Sequence, residues 1–414
     1  MHFLFLHSGD IFYIFLYDFF KNLSKRRETC MKAVGIICEY NPFHAGHLHL
    51  LESVRRDGAQ TVICLMSGNF TQRGEAAILP PAARAEMALA CGADLVLELP
   101  FPFAAGSARY FASAGVDALC RLGADTLAFG SESADLARIT AAAQRTLDED
   151  FAKKVANGAK TTGDAALFFE ALGDPLPPND ILAVEYARAV LERKGRMELH
   201  PVLRVGGGYH DTDAEQRYPS ATSLRQKLAQ GMHIGANLPE KAAHVFEKSA
   251  DAWGIADIAR LGSAMLAKLR TTSPDTAVAY ADCGGGLLER LIGAAEEATD
   301  YASLCAAAAT KKYTSGRIRR ALLYVMAGVT YADLDASPAY LRLLGANEQG
   351  REFLAKTRKT RTVPVVTKAA DIAELGDAAT RQRVLSAVAD GLYALCLPCG
   401  VLPRTLAVIP PVML

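Results

Sequence analysis

The residues best suited to chemistry are two histidines three positions apart, His44 and His47, in the run Lys32 to Leu50, KAVGIICEYNPFHAGHLHL. Beside a helix start, where unpaired backbone N–H groups and the helix dipole attract anions, such a pair can stabilise charge on a phosphate undergoing substitution. Gly46 lies between them, and without a Cβ it allows the backbone close to a ligand. The elements that must position the pair flank it. Ala33 to Cys38 is a short apolar run containing Val and Ile, which predicts a strand buried on both faces. Asn41, Pro42 and Gly46 end that strand. A helix then starts near Gly46, with Leu48, Leu51 and Val54 on its apolar side. Alternatively, both histidines are loop residues or ligands of a structural metal. Their place at the end of the first buried strand, where open α/β sheets bind ligands, favours the phosphate reading.

From there the chain alternates. Strands are expected over Ala33–Cys38, Thr61–Met66, Leu95–Leu99, Thr126–Phe129 and Leu199–Val205. Helices are expected over Gly46–Asp57, Pro81–Cys91, Ala108–Leu122, Leu136–Leu147, Gly163–Ala171 and Ile181–Arg193. This order implies an α/β fold, a Rossmann-like parallel sheet with helices on both faces. Beyond about residue 238 the strands are expected to stop. Helices over Ala242–Leu269, Gly286–Ala298, Tyr301–Ala309 and Arg317–Ala327 then make a mainly helical C-terminal domain, with the junction in Gly231–Pro239.

The loops after the strands carry the remaining candidates. Ser67–Glu75, SGNFTQRGE, has two glycines and Arg73, a forked donor suited to anions. Arg84, in the next helix, either reaches the same place or is solvated. Gly130 ends the fourth strand, where a glycine allows a nucleotide to lie against backbone. Asn179 opens a helix and is a good N-cap without any ligand, a role Asp180 can share. Arg204 and Val205 precede three glycines, with Arg204 placed to touch phosphate or ribose. Ser220, Thr222 and Ser223 open another helix with Arg225 behind them; they either cap it or donate to a phosphate or to acetate.

Composition bounds the rest. The chain has 414 residues, half of them hydrophobic, with 45 basic against 45 acidic side chains. A general electrostatic affinity for nucleic acid is therefore excluded, and any RNA contact must be a local patch. Lys311, Lys312, Arg317, Arg319 and Arg320 form one such run around Tyr313, and Arg351–Arg361 forms a second; a solvated helix face is the alternative. Nine scattered cysteines suit reduced, buried thiols in a cytoplasmic protein, and Cys396–Cys399 is a lone CxxC. Residues 1–30 stand outside the pattern. Their apolar stretch, Ile11–Phe20, is too short to span a membrane and its charges follow it. The reading is an over-long gene start with Met31 as the natural one, a membrane-surface anchor being the alternative. No GxxxxGK[ST] run is present, which disfavours a P-loop ATPase.

The strand followed by EYNPFHAGH resembles the HxGH turn of the nucleotidyltransferase superfamily. The longer run Gly35–Leu50, with SGNFTQRGE, LVLELPF (Leu95–Phe101), FGSE (Phe129–Glu132), PNDILAVEY (Pro178–Tyr186), RVGGGYHD (Arg204–Asp211) and SATSLR (Ser220–Arg225), resembles the tRNA(Met) cytidine acetate ligase family. The blocks cover most of Met31 to about residue 230. The resemblance implies catalytic roles for His44 and His47. It implies ATP contacts along Ile37, Cys38, Glu39, Tyr40, Asn41, Pro42, Phe43, His44, Ala45, Gly46, His47, Leu48, His49 and Leu50, and at Gly130, Asn179, Arg204 and Val205. The implied partners are ATP with Mg²⁺, acetate and elongator tRNA(Met), the acetyl group passing through acetyl-adenylate to N4 of the wobble cytidine. Two other readings stay open: an adenylyltransferase acting on a small phosphate, and a non-catalytic protein that binds ATP and RNA.

Overall fold

The structure is a computed structural model and describes residues 33–151, 153, 172–173, 180–194, 196–205, 219–273 and 280–414. The expected helix over Gly163–Ala171 and residues 1–30 lie outside these.

Five strands follow the predicted alternation: β1 (Ala33–Cys38), β2 (Thr61–Ser67), β3 (Leu95–Leu99), β4 (Thr126–Ser131) and β5 (Glu198–Leu203). β5 stops two residues before its expected end, which leaves Arg204 and Val205 in the following loop. The helices between the strands are α1 (Ala45–Arg56), α2 (Pro81–Ala90), α3 (Ala108–Leu122), α4 (Leu136–Arg145) and α5 (Asp180–Glu192). The five strands pair in parallel in the order β5-β4-β1-β2-β3.

Both faces of this sheet are covered. Ile37, Ile63, Leu65, Leu97 and Leu127 pack with Phe111 and Leu119 of α3, Ile139 of α4 and Val184 of α5. Val34, Ile36, Val62, Cys64 and Met66 pack on the opposite face with Leu51 and Val54 of α1 and Met87 of α2. Double burial is why these strands read as unbroken apolar runs. The strand order reverses at β1, and the helices change face there. In a doubly wound sheet the crevice for a ligand opens at that reversal, beyond the carboxyl ends of the strands. The HxGH turn follows β1 and Gly130 lies in β4, so both flank this crevice.

The C-terminal half is mainly helical: α6 (Ala221–Ala229), α7 (Glu240–Trp253), α8 (Gly262–Arg270), α9 (Leu287–Glu297), α10 (Tyr301–Ala308), α11 (Ser315–Ala327), α12 (Tyr331–Asp335), α13 (Glu348–Lys356), α14 (Asp377–Cys396) and α15 (Pro403–Ala407). The helix expected over Ala242–Leu269 is broken at Gly254, whose φ is 70° and where a Cβ would sit 2.2 Å from Pro398.

The expectation that strands stop near residue 238 is corrected. β6 (Leu341–Ala346) pairs antiparallel with β3, and β7 (Val365–Val366) and β8 (Val412–Met413) pair with β6. An antiparallel edge strand needs no βα crossover, so alternation does not reveal it. Arg342 of β6, half-buried, meets the buried Glu98 of β3 at 2.9 Å, an ion pair across the join.

Helices α8–α11 and α14 form a further core around Leu261, Leu288, Leu322 and Tyr393, which takes in Phe70 and Phe101 from the loops after β2 and β3. Burying each of those rings contributes about 2–3 kcal/mol. Tyr393 also donates to the carbonyl of Ala77 at 2.7 Å. The helical half is thus seated on the carboxyl-end loops of the sheet, next to the crevice.

Candidate active site

After β1 the chain turns through Tyr40, whose φ is 48°, and enters α1 with His44 as its N-cap. The Nδ1 of His44 accepts from the N–H of Gly46 at 3.0 Å, and the N–H of His44 donates to Nδ1 of His47 at 3.2 Å. This reciprocal cap occupies Nδ1 of both rings. The tautomer assigned from these bonds places the remaining proton on Nε2, so each neutral ring keeps one N–H to give.

The rings stack with centroids 3.8 Å apart, and Tyr40 lies edge-on to His47 at 4.8 Å. Burial, then the cations of Arg204 and Arg225, hold the His44 pKa down to about 4. Burial, then His44 and Arg204, hold His47 well below its ordinary value. The pair therefore consists of uncharged donors at neutral pH. Gly46 has a more local reason than ligand approach: a Cβ there would lie 2.9 Å from the His44 ring. The glycine makes room for that ring to fold onto its own helix.

Gly130 lies under Arg204, whose Cγ would be 3.2 Å from a Cβ at that position. The N–H of Arg204 donates to the carbonyl of Ser131 at 3.0 Å, which fixes the guanidinium's base. Val205 runs past the start of α1, its carbonyl 4.0 Å from a Cβ at Gly46. Asn179 lies outside the described residues. Asp180 is fully buried and accepts from the hydroxyls of Ser131 and Ser133 and the N–H groups of Glu132 and Ser133, at 2.6–3.3 Å. Rather than sharing a cap, it holds the loop beyond Gly130 in place.

Arg225 reaches from α6 to the carbonyl of Asn41 at 2.9 Å and pairs with Glu75 at 3.0 Å. Ser220 caps α6 by accepting from the N–H of Ser223 at 3.1 Å, and Thr222 accepts from Arg225 at 3.4 Å. Arg73 is exposed at the mouth of the crevice. The remaining residues of the Ile37–Leu50 run divide. The side chains of Ile37, Cys38, Tyr40 and Phe43 are buried in the core, so any ligand contact there is through backbone. Pro42, Ala45, Leu48, His49 and Leu50 complete the turn and the first turns of α1, where Leu48 and Leu50 face the core beneath the helix.

One residue that positions the site, Arg84, was not assigned from sequence, and another, Glu39, was assigned only as an ATP contact. Arg84 is fully buried and donates to the carbonyls of Leu79 at 3.0 Å, Glu39 at 2.6 Å, Ser67 at 3.0 Å and also Gly68, tying the ends of β1 and β2 together. The available signal was its helical spacing: Arg84 shares the inward stripe with Met87 and Ala88. Glu39 directly follows β1, half-buried, and accepts from the N–H of Gln72 at 2.8 Å. Burial raises its pKa, against the cations of Arg73 and Arg225. Among the described residues no group of three His, Cys, Asp or Glu side chains is arranged to hold a metal ion.

The basic run on α11 is corrected as an open patch. Arg320 is buried and pairs with Asp282 at 2.7 Å, so it presents no guanidinium to RNA. Arg317 donates to the carbonyls of Asp282 and Gly284 at 3.2 and 2.9 Å, and Lys312 to that of Gly285 at 2.7 Å. Arg319 pairs with Glu75 at 3.5 Å and donates to the carbonyl of Arg73 at 3.0 Å. Lys311 is exposed. The cations of this run thus largely join α11 to its neighbours and to the Arg73 loop. No helix among the described residues is long and apolar enough to cross a membrane.

The profile of the HIGH Nucleotidyl Transferase family matches residues 31–401. The tRNA(Met) cytidine acetate ligase of Syntrophotalea carbinolica is 39% identical over 81% of this chain and 85% of its own length. That of Acetivibrio thermocellus is 33% identical over 88% and 95%. Two crystal structures of Thermotoga maritima TmcAL, one apo and one bound with alpha-thio ATP, superpose with TM-scores of 0.85 and 0.83 at 29% and 28% identity, each covering 93% of this chain and all of the other. With the paired histidines, the crevice and these relatives in agreement, the chain belongs to the HIGH nucleotidyltransferase family and, within it, to the tRNA(Met) cytidine acetate ligases.

Proposed function

We propose that this protein activates acetate with ATP to acetyl-adenylate and transfers the acetyl group to N4 of the wobble cytidine of elongator tRNA(Met). The observation that carries this reading is the meeting of His44, His47, Arg204 and Arg225 at the strand-order reversal, the place where an α/β sheet takes a nucleotide. Acetate is ionised near neutral pH and needs no base to attack. Its oxygen attacks the α-phosphorus, the bond to the bridging oxygen breaks, and pyrophosphate leaves. Such a reaction needs in-line positioning and cover for charge on the phosphate. The Nε2–H groups of His44 and His47 supply that cover without a counter-charge, and Arg204 and Arg225 supply the positive field.

We assign residues 31–238 to ATP and 239–414 to tRNA contact, in the cytoplasm. Arg73, Ser220, Thr222, Ser223 and Arg225 serve phosphate or acetate. Mg²⁺ accompanies the triphosphate as its counter-ion. The tRNA approaches over the mouth marked by Arg73 and Arg319, with the exposed Lys311 as a further cation.

The test is pyrophosphate release from ATP, with and without acetate and with and without elongator tRNA(Met). Release that depends on acetate, followed by acetylated tRNA, is expected. Release that depends instead on a small phosphate substrate means an adenylyltransferase, and ATP and RNA binding without release means a non-catalytic binder. Lys311→Glu is expected to weaken tRNA binding several-fold and leave ATP binding unchanged.

A further inference from the structure

The two imidazoles lack one capability that acetylation of an amine requires. Each Nδ1 already accepts a backbone N–H, at 3.0 and 3.2 Å, so the open nitrogen of each ring is a protonated Nε2. Such rings stabilise an anion but have no lone pair with which to take a proton. The acyl-transfer step releases one. The lone pair of the cytidine N4 attacks the acetyl carbonyl carbon, a C–N bond forms, the C–O bond to the phosphate breaks and AMP leaves. One N–H proton must depart with the change.

The described carboxylates around the crevice differ in what they have left to accept it. Asp180 is fully buried and holds four donors. Glu75 lies in two ion pairs, at 3.0 Å to Arg225 and 3.5 Å to Arg319. Glu132 stands on the β4 side of the crevice, beside Arg204. Glu39 directly follows β1, immediately before the HxGH turn. Its Oε1 is fixed by the N–H of Gln72 at 2.8 Å, its backbone carbonyl is fixed by Arg84 at 2.6 Å, and its second oxygen has no hydrogen-bond donor among the described residues. Arg225, which donates to the carbonyl of Asn41 at 2.9 Å, bears electrostatically on both Glu39 and His44. A fixed carboxylate with one open oxygen and a raised affinity for protons has the properties of a general base.

We propose that Glu39 accepts the proton that the cytidine N4 amine loses as it is acetylated. This rests on the acetate-ligase reading above. Glu39→Gln keeps the oxygen that accepts from Gln72 and removes only the ability to take a proton. The full-length variant is to be assayed for acetate-dependent ATP–pyrophosphate exchange, for single-turnover acetylation of elongator tRNA(Met), and for acetyl-hydroxamate formation with hydroxylamine. Acetylation slower by about 10²–10⁴-fold, beyond any loss of exchange and of hydroxamate formation measured on the same variant, is expected. Acetylation within threefold of wild type overturns the assignment. So does exchange that falls in step with acetylation, since Glu39 would then serve adenylate formation. Absence of acetate-dependent exchange in the wild-type protein instead overturns the functional reading on which the assignment rests.

Discussion

Replacing His47 separates the structural and chemical roles of the paired histidines. Its Nδ1 accepts the N–H of His44 at 3.2 Å, and His44 is 7% exposed. In His47→Ala that buried N–H loses its partner, at a cost of about 1–3 kcal/mol, and the edge-on contact with Tyr40 adds about 1 kcal/mol. The variant also loses one donor to the reacting phosphate, worth about 10²–10³-fold in rate. His47→Asn divides these effects. Its amide oxygen falls near the place of Nδ1 and can accept from His44, as a capping residue does, but no N–H reaches the distance of Nε2. The expected outcome is a stability within about 1 kcal/mol of wild type, with acetate-dependent pyrophosphate exchange still down about 10²–10³-fold. His47→Gln, whose amide N–H lies farther out, is expected to recover part of the exchange. Chemical denaturation reports the first quantity and exchange the second. An Asn variant that exchanges within threefold of wild type refutes the donor role and leaves His47 as a cap.

Three further outcomes follow from buried charge. Arg84→Met leaves three backbone carbonyls at the ends of β1 and β2, and that of Leu79, without their donor and is expected to cost about 3–5 kcal/mol by denaturation; a loss below about 1 kcal/mol contradicts the role given to Arg84. Arg342→Met strands Glu98 at the β3–β6 join and is expected to cost about 3 kcal/mol or more, most of it regained when Glu98→Gln is added; additive losses would mean that the two side chains do not act as a pair. His44 is held neutral in the fold, its pKa lowered from 6.5 to about 4, so the unfolded chain binds its proton more readily between those values. Its contribution is full above pH 6.5 and is lost as pH falls towards 4. Wild type should therefore lose stability relative to His44→Gln across that window, by about 3 kcal/mol at most; parallel stability curves for the two proteins would exclude it.

The linear order of residues determined the nucleotide fold. The apolar runs at Ala33–Cys38, Thr61–Met66 and Leu95–Leu99 had to be strands buried on both faces, because nothing polar interrupts either face. The glycines, prolines and asparagine between those runs and the helical stripes fixed where the loops fall. The loops and the element ends beside them carried His44, His47, Arg73, Gly130, Arg204 and Arg225, so most of the candidate site was legible in the sequence. The antiparallel edge was not, since β6 joins β3 by the register Leu95↔Ala346, two residues 251 apart in the chain (346 − 95), and local pattern gives no sign of such a partner. Burial alone also decided which charges are structural. Arg84 and Arg320 look like neighbouring arginines on paper, yet each lies inside the fold, one among carbonyls and one against Asp282. Tertiary contact likewise settled which nitrogen of each histidine remains open, because the tautomer follows from the backbone N–H that each ring meets. Spacing along the chain thus set the elements and the loops that bear the chemistry. Desolvation and hydrogen bonding between distant segments decided what each charged group there is able to do.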